Sequence, residues 1–222
     1  MAMRTKPRIL VFASGSATGG GSGFQKMVEM SRGVDPVLDA TIAGVVSHHG
    51  GGGVAAKAAR LGIHFGHWTE PFEAQGYQDW VKTFEADYVM LSGWLKPVRG
   101  LDPARTVNIH PGPLPQFGGR GMYGHHVHES VMAAYHRGEI TQSAVTMHFV
   151  TDPPGDDPYD KGPIAQMIRV EIQPDDTPET LALRVNACEH TWQSLVLNWI
   201  VHGEIWLDGD GTVRSRGIPL LR

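Results

Sequence analysis

Short apolar runs that stop at glycine and give way to apolar residues at helical spacing recur through the first half of the chain. Ile9 to Ala13 is the first such run. It ends in Ser14-Gly15-Ser16-Ala17-Thr18-Gly19-Gly20-Gly21-Ser22-Gly23, after which Phe24, Met27, Val28 and Ser31 follow a helical period. This pattern predicts strand, glycine loop, helix. A second strand, Thr41 to Ser47, runs into His48-His49 and Gly50 to Gly53, and then into an alanine-rich helix from Val54 to Leu61. Phe72, Tyr77, Trp80, Val81 and Phe84 predict a third, amphipathic helix before the strand Tyr88 to Leu91, and Thr106 to His110 adds a further short strand. Strands alternating with helices imply a parallel sheet covered on both faces.

After His110 the pattern changes. Pro111-Gly112-Pro113-Leu114-Pro115 forbids regular structure, and a helix from about Gly124 to Tyr135 follows. Two alternating segments, Ser143 to Val150 and Pro163 to Ile172, read as extended strands on either side of a loop rich in proline and aspartate. Thr177 offers an N-cap with Pro178 at the first helical position, and apolar residues recur from Leu181 through Ile200 until Gly203. A hairpin around Asp208-Gly209-Asp210-Gly211 comes last. The expected fold is α/β: a Rossmann-like, doubly wound, mostly parallel sheet with helices on both faces and an antiparallel C-terminal portion.

The length of 222 residues suits one domain, 1–222, with a glycine-loop half at 8–110 and a second half at 111–222. Nineteen Lys and Arg against 23 Asp and Glu give a net charge of -4, so no basic field invites nucleic acid or an anionic membrane. The single cysteine, Cys188, has no partner for a disulfide or a zinc knuckle and fits a reducing compartment. Arg4, Lys6 and Arg8 imitate the start of a signal peptide, but glycines break the apolar run that follows. A cytoplasmic protein is expected, as a monomer or homodimer.

The first glycine loop stands where backbone N–H groups at a helix N-terminus attract anions. Neither the P-loop nor the Gly-x-Gly-x-x-Gly fingerprint can be laid onto it, which favours a simple phosphomonoester over ATP or NAD. His48 and His49 lack a carboxylate or cysteine at ligand spacing and read as a solvated loop. His125, His126 and His128 have no i, i+4 pairing for a metal and read as polar residues at a helix start, one of them within reach of a ligand. Cys188 reads as a small core residue. Asn108-Ile109-His110 is more pointed, because in a strand residues i and i+2 face the same way and this pair projects together at a carboxyl end, where open α/β sheets bind ligands. An amide that holds a carbonyl oxygen beside an imidazole that handles a proton suits acyl transfer to an amine. A polar strand end that merely caps the sheet is the alternative.

The sequence resembles the phosphoribosylglycinamide (GAR) formyltransferases across about residues 8 to 205. The resemblance is carried by Ser14-Gly15 with Gly21-Ser22-Gly23-Phe24-Gln25, Leu91-Ser92-Gly93-Trp94-Leu95, Asn108-Ile109-His110-Pro111, and Gly121-Met122-Tyr123-Gly124 with His128. His148-Phe149-Val150, Tyr159-Asp160-x-Gly162 and Glu189-His190 complete it. It implies formyl transfer from 10-formyltetrahydrofolate, a co-substrate, to the amine of glycinamide ribonucleotide, without a metal. Asn108, His110 and Asp160 would be the catalytic set, with Asp160 holding His110 charged. Gly15, Ser16, Gly21, Ser22 and Gly23 would hold the substrate phosphate, with Glu189 toward the ribose, and Trp94, Leu95, Lys96, Pro97 and Val98 would line the folate pocket.

This chain departs from the family pattern in three places. The first loop is about four residues longer than Ser-Gly-x-Gly-Ser-Asn-Leu, and Gly23 stands in place of the Asn. No Lys or Arg occurs between Arg60 and Lys82, so a basic phosphate contact from that segment is either lost or transferred to His64 or His67. The loop 151–159 is long and acidic and is expected to move over the folate site. The competing functions are formyl transfer to another amine, such as an amino-sugar nucleotide or methionyl-tRNA, hydrolysis of formyltetrahydrofolate, and ligand binding without catalysis. Relatives with the first of these usually carry an added C-terminal domain, and the hydrolases an N-terminal one.

Overall fold

The computed structural model describes residues 6–152 and 159–222. In chain order it forms β1 (Arg8–Phe12), α1 (Ser22–Met30), β2 (Thr41–Ser47), α2 (Gly53–Leu61), β3 (Phe65–His67), α3 (Ala74–Thr83), β4 (Tyr88–Ser92) and β5 (Thr106–His110). The second half adds α4 (His125–His136), β6 (Gln142–Phe149), β7 (Ile164–Glu171), the long α5 (Pro178–Val201), β8 (Ile205–Leu207) and β9 (Val213–Ser215). Seven strands make one sheet in the order β3-β2-β1-β4-β5-β6-β7. The strands from β3 to β5 run parallel, and β6 and β7 are antiparallel to their neighbours. The expected architecture is observed, including the terminal hairpin, which forms its own sheet from β8 and β9.

Two features are absent from the sequence reading: β3 and a single 3-10 turn at Pro103–Arg105. Three residues centred on Gly66 carry no legible alternation, yet they complete the parallel edge beside β2. Gly66 is required there because a Cβ would lie 2.7 Å from the Trp80 ring.

Alternation along β1 sorts the two layers. Ile9, Val11 and Ala13 point to the core beneath α1, α2, α4 and α5, whereas Leu10 and Phe12 point to a smaller cluster with Tyr77 of α3, Trp68 and Trp94. Helix α1 buries Phe24, Met27 and Val28, the i, i+3, i+4 stripe read from the sequence. Helix α5 opens on a capping box in which the Thr177 side chain accepts from the Thr180 N–H, with proline in its first turn. From there α5 packs along α1, α4, β6 and β7, which brings its middle turns to the carboxyl ends of the central strands.

The chain leaves β1 toward β2 and leaves β4 toward β5, so a crevice opens between the carboxyl ends of β1 and β4. Ser14, at the end of β1, holds that edge together. Its N–H donates to the Gly93 carbonyl at 3.0 Å, and its Oγ accepts from the Leu95 N–H at 2.9 Å. Among the described residues no helix is long and apolar enough to cross a membrane.

Candidate active site

A cavity of about 370 Å³ occupies this crevice. One end is polar. Asn108 and His110 project from β5, and the antiparallel register sets His148 of β6 directly opposite Asn108. Asn108 Nδ2 lies 3.0 Å from His148 Nε2 and donates to Asp160 Oδ1 at 3.2 Å. The other Asp160 oxygen, Oδ2, stands 3.5 Å from His110 Nδ1 and accepts from the Gly119 N–H at 3.1 Å.

Asp160 is aimed by an unusual turn. Its φ of 55° is the left-handed region that asparagine and aspartate tolerate best among side-chain-bearing residues. Two residues later a Cβ on Gly162 would lie 1.6 Å from the Phe149 carbonyl oxygen, so only glycine lets the turn close on β6. The Asp-x-Gly spacing is thus a backbone requirement that delivers a carboxylate.

Carbonyl partners fix the protons on both imidazoles, since a carbonyl only accepts. His110 Nε2 is 2.7 Å from the Phe117 oxygen and carries the hydrogen, which leaves Nδ1 facing Asp160. His148 Nδ1 is 3.0 Å from the Phe149 oxygen, which leaves Nε2 toward Asn108. Burial lowers the His110 pKa below its ordinary value and outweighs the opposing pull of Asp160. Burial thus opposes the charged form of His110 that the resemblance implies, and Asp160 favours it. Burial works to raise the Asp160 carboxyl, but the contact with His148, whose Nε2 lies 3.3 Å from Oδ1, the His110 imidazole and the Gly119 N–H bring it below its usual range.

At the opposite end Gly21, Ser22 and Gly23 present the start of α1 to the cavity. Gly21 is the N-cap, at φ 75°, and no side chain caps the helix. Gly15 and Ser16 do not reach the cavity. Ser16 exchanges bonds with Gly19, and its carbonyl accepts from the Gly53 N–H at the head of α2, so the added length of the loop is taken up in a turn against α2. From α5, Asn186, Glu189, His190 and Gln193 line the same end. Burial pushes the Glu189 carboxyl up to about 7.

An apolar wall joins the two ends. Trp94, Leu95, Lys96 and Val98 line the cavity, and Pro97 instead gives its carbonyl to Tyr77 Oη at 2.8 Å. The same hydroxyl accepts from Trp94 Nε1 at 2.8 Å, so one buried tyrosine locks both ends of the segment. His64 and His67 lie outside the cavity lining, on the far side of β2. The His48–His49 loop is not freely solvated, because His48 packs edge-on against Phe72 and Trp94. His128 is buried, with its pKa pushed down to about 4 by desolvation, and Cys188 is partly buried with a thiol raised to about 11. Among the described residues no three His, Cys, Asp or Glu side chains are grouped to hold a metal ion.

Sequence reasoning did not single out His148 and Gln193 as site residues. The alternation of β6 puts His148 on a definite face, but only the pairing of β5 with β6 shows that Asn108 shares that face.

The formyl transferase family matches residues 7–197 of the chain. A chloroplastic phosphoribosylglycinamide formyltransferase of Vigna unguiculata is 33% identical over 98% of this chain and 66% of its own length. The Arabidopsis thaliana protein of that name is 37% identical over 65% of this chain and 46% of its own length. The chain thus spans about half to two thirds of these plant relatives. Among solved structures, the phosphoribosylglycinamide formyltransferase of Coxiella burnetii superposes with a TM-score of 0.78 at 26% identity, covering 97% of this chain and 96% of that one. The Anaplasma phagocytophilum protein gives 0.77 at 25% identity, covering 98% of each.

Proposed function

The chain belongs to the formyl transferase family, and on that premise we propose that it transfers the formyl group of 10-formyltetrahydrofolate to the amine of glycinamide ribonucleotide in purine biosynthesis. The observation that carries this reading is the polarity of one cavity: Asn108, His110 and Asp160 meet at one end, and an uncapped helix N-terminus stands at the other. Such a cavity suits a phosphomonoester at one end and an acyl centre at the other.

In the proposed reaction the substrate amine attacks the formyl carbon, the new C–N bond forms, and charge collects on the formyl oxygen. An N–H of Asn108, held against Asp160 without ligand, and the imidazole of His110 stabilise that oxygen. Asp160 accepts a proton from the attacking nitrogen and passes it, through water, to the folate nitrogen as its bond to the carbon breaks. The negative charge that develops on the oxygen draws a proton from water onto His110 Nδ1, which burial disfavours in the resting site; Nδ1 then donates to the oxygen and returns the proton to water as the carbonyl re-forms.

Trp94, Leu95, Lys96 and Val98 would hold the folate, with Pro97 fixing that segment's backbone. Gly21, Ser22 and Gly23 would hold the phosphate, and Glu189, its carboxyl pushed up to about 7 by burial, would meet the ribose hydroxyls. We read residues 1–222 as one domain whose seven-stranded sheet serves both halves, and the cytoplasm as its place of action.

The test is turnover by the purified chain with glycinamide ribonucleotide and 10-formyltetrahydrofolate, followed as release of tetrahydrofolate. Formylated product is expected. Tetrahydrofolate released without formylated ribonucleotide, or no reaction, would overturn the assignment.

A further inference from the structure

Gly23, the second residue of α1, has no room for a side chain, because a Cβ there would stand 2.4 Å from Ser92 Oγ and 2.9 Å from Gln193 Oε1. The carboxamide of Gln193, carried in from α5, fills that space. Gln193 is 2% exposed and lines the cavity. Ser92 Oγ donates to Gln193 Oε1 at 3.3 Å, which turns the oxygen toward the end of β4. The nitrogen at the other end of the amide, Nε2, is buried and has no hydrogen-bond partner among the described residues.

A buried side-chain donor without an acceptor costs free energy, and native sites tolerate one where a ligand supplies the acceptor. The first N–H groups of the nine-residue α1, which no side chain caps, are unsatisfied donors beside it, and His190 Nε2, also in the cavity lining, is buried without a partner among the described residues. Donors on two helices therefore converge on one end of the cavity. A group that accepts from all of them is an anion.

We propose that Gln193 is a substrate-binding residue whose Nε2 donates to the phosphate of the amine substrate. Where the family pattern places an asparagine amide on α1 at position 23, this chain has glycine on α1 and an amide reaching over it from α5. The inference rests on the reading that the substrate phosphate lies at the start of α1.

Gln193→Met removes the donor at nearly constant volume. With the melting temperature confirming a folded protein, the KM for glycinamide ribonucleotide should rise about tenfold or more, as expected for loss of a hydrogen bond to a charged group. The kcat and the KM for 10-formyltetrahydrofolate should stay within about twofold. With glycinamide riboside, which lacks the phosphate, wild type and variant should be equally poor. An unchanged KM for the ribonucleotide would overturn the role of Gln193 and leave the proposed reaction standing. If the wild type shows no turnover, the proposed reaction fails. Calorimetric binding of inorganic phosphate then decides for Gln193, with equal affinity in wild type and variant overturning it. Should the Met variant melt, Gln193→Asn, which withdraws the amide toward α5, is read by the same measurements.

Discussion

The Phe149 carbonyl oxygen occupies the place where Gly162 would carry a side chain, 1.6 Å from the Cβ position. Phe149 also donates its N–H to the Pro163 carbonyl at 2.9 Å, so the turn that aims Asp160 is clamped to β6 from both directions. Gly162→Ala must push the turn off the strand. The expected result is a loss of roughly 1–3 kcal/mol in stability and a fall in kcat of about 10² or more as the carboxylate moves off His110. Urea unfolding and steady-state kinetics check both, and a variant with normal kcat would show that this turn does not set the geometry.

His110→Ala and Asp160→Asn should each lower turnover by roughly 10² or more without unfolding the chain, because each removes a group that handles a proton or charge in the transition state. Asp160→Asn keeps the shape of the side chain while losing its charge. Turnover near wild type in either purified variant would remove these residues from the mechanism.

Tyr77→Phe strips one hydroxyl that serves Trp94 Nε1 and the Pro97 carbonyl. The buried Trp94 Nε1 loses its partner, at about 1–3 kcal/mol in stability, whereas the exposed Pro97 residue can give its carbonyl to water. The wall formed by Trp94 to Val98 loosens, so the KM for 10-formyltetrahydrofolate should rise several-fold while that for the ribonucleotide holds. Equal changes in both would place Tyr77 in general stability rather than in the folate wall.

His128 makes stability depend on pH in a definite direction. Burial holds its pKa down to about 4 in the folded chain, against 6.5 when exposed. Between those values the unfolded chain binds a proton that the folded chain refuses. The contribution is therefore complete above about pH 6.5 and is lost as pH falls toward 4, by roughly 3 kcal/mol in all. His110, lowered by the same cause, acts in the same sense. Denaturant midpoints at pH 7 and pH 5 should differ, and His128→Leu should narrow the difference. A variant with the full wild-type slope would refute the assignment to His128.

Strand and helix boundaries were legible wherever one residue's chemistry decides them. Thr177 and Pro178 start α5, and Thr106 to His110 is β5 to the residue, because capping and alternation are local. β3 was not legible, since its three residues are extended only because β2 lends them an edge. In the site, the i, i+2 spacing of Asn108 and His110 carried the chemistry. The full glycine loop did not, because Gly15 and Ser16 face α2 and only Gly21 to Gly23 face the cavity. His148 and Gln193 escaped for a common reason: each is placed against a residue on another element, 40 positions away at Asn108 and 101 away at Ser92. The residues 153–158, which include most of the acidic loop expected to move over the folate, lie outside the described residues.

The span of those pairings also bears on how the molecule comes into being. Asn108 meets Asp160 across 52 residues, and Ser14 meets Leu95 across 81. Helices form from neighbours within microseconds, whereas contacts between distant segments wait for long loops to close. Not one of these four pairings is local. On refolding from denaturant, the far-ultraviolet helical signal should therefore recover before the ability to turn over substrate. Regained activity would time the moment at which α5 and the Asp160 turn settle onto the finished sheet.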